Sequence, residues 1–145
     1  MNSFTDHVEP KRLRRTASAE QRTFSTPLTD LPRFVTALLS GIPEIRGARV
    51  HIEEVVFEPK RLNELLGAAG VPSPIAAGDS IRAEQGAEVA PLLEACLACW
   101  IDFFFVPEPK PFVIYADHDE YTTILGARKS GVNTAAVPLV AAGFR

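Results

Sequence analysis

Two β-branched and aromatic runs separated by a proline-studded spacer constrain this chain more than any other feature. Residues 101–106 and 112–116 are built from Ile, Phe, Val, Tyr and Ala apart from Asp102, and between them stand Pro107, Glu108, Pro109, Lys110 and Pro111. Prolines at this spacing cannot continue a central hydrogen-bonded ladder, so the pattern predicts an antiparallel hairpin. The first run is apolar on both faces except at Asp102, as expected of a central strand covered from both sides.

The elements around the hairpin follow from periodicity. Asp30 is a suitable N-cap, Pro32 suits a first helical turn, and Leu31, Phe34, Val35, Leu38 and Leu39 form a one-sided helical stripe closed by Gly41 and Pro43. Residues 49–57 alternate around Val50, Ile52 and Val56 and read as a strand. A short helix opens at Pro59 and ends near Gly67, and the proline- and glycine-rich stretch 70–86 reads as a long surface loop. Leu92, Leu93, Cys96, Leu97 and Trp100 give a further helix its apolar face. Residues 121–125 read as a third strand beside the hairpin, although Asp117 and Glu120 also have capping-box spacing. A last helix over 133–142 contains Pro138 and stops at Gly143. The expected fold class is therefore α+β: a small, mainly antiparallel sheet of about four strands packed with helices in a two-layer sandwich.

Charge divides the chain. The formal net charge is −3, yet residues 1–26 carry Lys11, Arg12, Arg14, Arg15 and Arg22 against Asp6, Glu9 and Glu20, so the body is the acidic part. With Phe4, Leu13 and Phe24 as its large apolar residues and no period linking them, 1–26 reads as a flexible basic N-terminal arm. Residues 27–145 are then a single globular domain, in keeping with 145 residues and 46% hydrophobic content. No apolar run approaches the ~18–20 residues that span a bilayer, which argues against a membrane. Two cysteines and an N-terminus without an apolar leader lead to a cytoplasmic expectation.

Three places can carry chemistry. The first is Asp117, His118, Asp119 and Glu120 at the end of a strand. If Val106 pairs with Phe112, Asp102 faces Ala116 and Trp100 faces His118, making Asp102 and His118 diagonal neighbours on one face. An Asp–His pair can orient a general base, with Asp119 as its companion, and Asp117, His118 and Asp119 could together hold a divalent metal. The same residue types also make an ordinary polar turn. Asp102 among aromatics calls for a partner, such as an arginine or a backbone N–H.

The second place is Cys96 and Cys99, which have C-x-x-C spacing but sit near a helix C-terminus, where the dipole disfavours a thiolate. Zinc would have only His51 and His118 as further ligands outside the arm, so two packed thiols are expected. The third is residues 11–15, a basic run that could meet phosphates. Glu53 and Glu54 beside His51 read as the polar face of an exposed strand. Gly-x-Ser-x-Gly, Gly-x-Gly-x-x-Gly and phosphate-loop patterns are all missing from the sequence, and no cofactor is expected.

These features lead first to a small binding or regulatory module of the inhibitor, adaptor or immunity-protein kind rather than an enzyme. It would grip a protein partner through an acidic surface, with Glu108, Lys110, Asp117 and Glu120 in contact. The alternatives are a metal-assisted hydrolase or nuclease-like enzyme using Asp102, His118 and Asp119, and a nucleic-acid accessory protein acting through residues 11–15.

Overall fold

The computed structural model describes residues 1–16 and 20–145. Its chain order is β1 (Asn2–Phe4), α1 (Val8–Thr16), β2 (Glu20–Ser25), α2 (Leu31–Ser40), β3 (Gly47–Val55), α3 (Lys60–Ala68), β4 (Ser80–Ala83), α4 (Gly86–Leu97), β5 (Ile101–Glu108), β6 (Val113–Ala116), β7 (Tyr121–Gly126) and α5 (Lys129–Ala141). The strands form one seven-stranded sheet in the order β1-β4-β3-β5-β6-β7-β2, antiparallel throughout.

This corrects the expected sheet of about four strands. Two additional strands, β1 and β2, come from the segment read as a flexible arm, and that segment also supplies α1. Residues 17–19 of that stretch lie outside the described residues. The third additional strand, β4, emerges from the stretch read as a loop, where Ile81 and Ala83 are fully buried between the β1 and β3 ladders.

The two faces of the sheet differ. On one face, α2–α5 enclose the main core together with Val50, Ile52, Phe103, Phe105, Ile114 and Ile124. The opposite face carries a small cluster in which Leu13 of α1 packs on Phe104, Val106, Val113 and Leu125. β5 is buried along both faces, as its sequence predicts.

The register of the hairpin is one residue away from the expected one. Phe103 pairs with Ala116, Phe104 with Tyr115 and Phe105 with Ile114. Phe112 is drawn into the helix-side core instead of pairing with Val106, while Pro107 stays in the ladder opposite Ala48 of β3. Because strand side chains alternate, this slip puts Asp102 on the face of Tyr115 rather than that of Ala116.

Helix boundaries also shift. α4 begins at Gly86, where Glu88 Oε1 accepts the N–H groups of Glu84 and Gln85, and Pro91 lies inside the helix. α4 ends before Trp100, which stands exposed with its ring edge-on to Phe57 at 5.1 Å rather than on a buried face. Asp30 precedes α2 as expected, but its carboxylate pairs with Arg33 at 2.7 Å instead of capping. At the end of α5, Gly143 takes φ 89° and the Phe144 N–H donates to the Leu139 carbonyl, the reversal the sequence signals.

Candidate functional site

β6 and β7 are joined by His118, Asp119 and Glu120 between the paired ends Asp117 and Tyr121, whose backbones bond at 3.0 Å. Such a three-residue loop favours a left-handed residue at its last position, and Glu120 fills it with φ 68°. A glutamate there is strained relative to glycine. Glu120→Gly should therefore raise stability by about 0.5–1 kcal/mol, read from urea denaturation. Asp117 Oδ1 accepts the N–H groups of Asp119 at 2.9 Å and Tyr121 at 3.2 Å, so much of its role is to shape the turn.

The turn delivers His118 to Asp102. Asp102, 8% exposed, accepts through Oδ1 both the backbone N–H of His118 and its ring Nδ1, each at 2.8 Å. The contact expected from sequence thus forms, although for a different reason. Asp102 falls opposite the Asp117 end of β6, and the loop folds His118 back over it. The bond favours imidazolium and raises the His118 pKa above its ordinary value, with Asp119 and Glu54 adding to the effect. Asp119 lies 3.8 Å from His118 Nε2 but is 74% exposed.

Other predicted residues lie elsewhere. The set Asp117, His118 and Asp119 does not form a ligand cluster. Among the described residues, the potential ligand atoms within 4.8 Å of one another here belong to Glu54, Asp102 and His118. Glu108 sits toward the other end of β5, bound to Arg49 at 2.6 Å and Arg82 at 3.3 Å. Lys110 is exposed in the β5–β6 connection, and neither it nor Glu108 borders the Asp102 site.

Beside Asp102, the part of the α1-bearing face that α1 leaves uncovered opens into a trough of about 570 Å³ crossing β3, β5, β6, β7 and β2. A bulge in β3, where the pairing steps from Ile52–Phe103 to Glu54–Asp102, brings Glu53 and Glu54 to its rim. With Asp102 and Asp117 they place four carboxylates around a floor formed by the Phe104 and Tyr115 rings, whose centroids are 4.9 Å apart. Burial, followed by the fields of these four carboxylates, pushes the Tyr115 hydroxyl up to about 12. Arg14, at the end of α1, lines the trough with its Nε 3.0 Å from Glu53 Oε1. That N–H is directed at the Pro10 carbonyl 3.3 Å away, and among the described residues the buried Glu53 Oε1 receives no hydrogen bond.

A second polar cluster fastens α1. Asp6 Oδ1 accepts the N–H groups of Val8 and Glu9, capping the helix, and these bonds lower its pKa. Glu9 receives a two-pronged bond from Arg49 at 2.8 and 3.0 Å, and its Oε1 lies 2.6 Å from His51 Nε2. His51 Nδ1 in turn lies 2.8 Å from the Ser80 hydroxyl. The order Ser–His–Glu has the connectivity of a nucleophilic triad, but Ser80 and His51 are each 1% exposed beneath α1. The arrangement is a buried clamp.

Sequence reasoning missed Glu9 and Ser80, gave Arg14 only as part of the basic run 11–15, and read Glu53, Glu54 and His51 as the polar face of an exposed strand. Cys96 is fully buried, which pushes its thiol well up, and Cys99 is partly covered with its thiol also raised by burial. Comparison with protein families, with characterised proteins and with solved structures gave no match. No helix among the described residues is long and apolar enough to cross a membrane.

Proposed function

We propose that the protein is a binding module that takes basic side chains of a partner protein into the acidic trough on the less covered face of its sheet. The observation that carries this reading is the convergence of Glu53, Glu54, Asp102 and Asp117 on an open aromatic floor, where Arg14 is the lining residue of opposite fixed charge among those described. Clefts lined by one sign of charge focus the field and draw in the opposite charge, and aromatic faces add cation–π attraction. Against the sequence-level picture, the contact surface moves from Glu108, Lys110 and Glu120 to the trough, with Asp117 retained.

Fluorescence anisotropy with labelled hexa-arginine amide tests the reading. Neutralising Glu53, Glu54 and Asp117 together (to Gln, Gln and Asn) is expected to weaken binding at least about tenfold, the equivalent of ~1.4 kcal/mol. Neutralising the exposed Glu44, Glu58 and Glu64, an equal change in charge elsewhere, should leave most of the affinity intact. Equal losses in the two triple variants, or no binding by the unmodified protein, would overturn the proposal.

One observation favours a second reading, metal-assisted hydrolysis. Glu54, Asp102 and His118 present potential ligand atoms within 4.8 Å of one another at the rim of the trough. Here a bound divalent ion would activate water. Calorimetric titration with Mn²⁺ and Zn²⁺ should then give heat that Asp102→Asn abolishes, and a flat titration removes the reading. The nucleic-acid alternative draws less support, because Arg12 and Arg14 within 11–15 are already engaged with Glu9 and Glu53.

A further inference from the structure

The trough already holds a guanidinium, the chain's own. Arg14 reaches it from the last turn of α1 with its side chain 56% exposed, and it pairs with Glu53 by proximity rather than by a directed hydrogen bond. The carboxylate therefore has a nearby charge but still lacks a donor at a buried oxygen, and an acceptor in that position favours any ligand able to supply one. α1 does not depend on Arg14 for its seat, since Glu9 anchors it to Arg49 and His51 and Leu13 packs on the sheet. Arg14 can leave through side-chain rotation at the helix end, with the helix in place.

We infer that Arg14 is an internal competitor for the trough, holding the place of an incoming guanidinium that binds at Glu53 by displacing it. This inference rests on the reading of the trough as a site for basic side chains and names both the preferred group and the gate. A guanidinium suits the site better than an ammonium. Its planar fork offers five N–H donors, enough to satisfy Glu53 Oε1 and a second carboxylate at once, and its face can lie on the partly exposed ring of Tyr115. No bond is made or broken in the exchange; one ion pair replaces another, with the ligand's donors directed where those of Arg14 are not.

An NMR titration of the full chain with N-acetyl-arginine amide, N-acetyl-lysine amide and N-acetyl-citrulline amide tests this. An internal competitor that occupies the site most of the time reduces apparent affinity by the fraction of open sites. Arg14→Ala and Arg14→Gln should therefore bind the arginine amide about 5–10-fold more tightly than the unmodified protein, at unchanged melting temperature. Lysine amide should bind more weakly, and citrulline amide, of similar shape without the charge, not measurably. Equal affinity with and without Arg14 would overturn the competitor while leaving the trough reading intact. Weaker binding in the Arg14 variants would make Arg14 part of the site and also overturn it. Citrulline binding as well as arginine would remove the guanidinium assignment, and failure of both arginine amide and hexa-arginine to bind would end this inference and the trough reading together.

Discussion

Truncation of Phe24 to alanine is expected to destabilise the protein by about 3–5 kcal/mol, the range for removing a buried aromatic ring from a packed core. Phe24 is 2% exposed, pairs across β2–β7 with Thr122, and belongs to the same core as Phe34, Phe103 and Leu139. The Arg22 guanidinium lies 5.3 Å from its ring centroid on the exposed side, so the edge strand seals one end of that core. Chemical denaturation of Phe24→Ala measures the effect directly. A flexible arm makes the opposite forecast: a residue outside the folded unit changes stability by no more than about 0.5 kcal/mol, and a loss that small would remove β2 from the sheet.

The arm was hard to read for a physical reason. α1 buries Leu13 and the Glu9 carboxylate, and β2 buries Phe24; most of their other residues are polar or charged and face outward. One buried large apolar residue per element leaves no period to detect, and what fixes these elements lies far away in sequence, Glu9 bonding residues 40 and 42 positions on. β4 is similar, four residues emerging from a proline- and glycine-rich stretch and given their order by β1 and β3. The hairpin was legible because its two strands are adjacent in sequence and apolar. The pairing of Asp102 with His118 was legible with it, since 16 positions separate them along one local meander. The trough was not, because Glu53 and Glu54 reach it only through a bulge and through the adjacency of β3 to β5, strands with α3, β4 and α4 between them in the chain. Likewise His51 and Glu53 do alternate onto one strand face, but α1 covers part of that face and turns His51 from a solvent-facing residue into a buried one.

Glu9→Gln should be destabilising by about 3 kcal/mol at neutral pH, and the loss should fade in acid. Burial by itself would raise the Glu9 pKa, but hydrogen bonds from Arg49 and His51 outweigh it and hold the carboxyl at about 2, against 4.5 when unperturbed. A folded-state pKa below the unfolded one means that the unfolded chain takes up the proton first as pH falls. The stabilisation from this carboxylate is therefore complete above about pH 5 and is lost between 4.5 and 2, and the size of the shift corresponds to about 3 kcal/mol. The amide would keep the shape of the side chain but not its charge, leaving Arg49 with Glu108 alone as its anionic partner among the ion pairs it forms. Urea denaturation at a series of pH values should show a gap between the two proteins that is widest near pH 6 and narrows steadily below 4.5. Because Glu9 anchors α1 over the sheet, the same loss should loosen the helix that carries Arg14, seen as faster amide exchange at residues 8–16 before the rest of the chain opens. A gap that stayed constant down to pH 2, or equal exchange in the two proteins, would mean that α1 is held by Leu13 and its neighbours and that the Glu9 clamp is incidental.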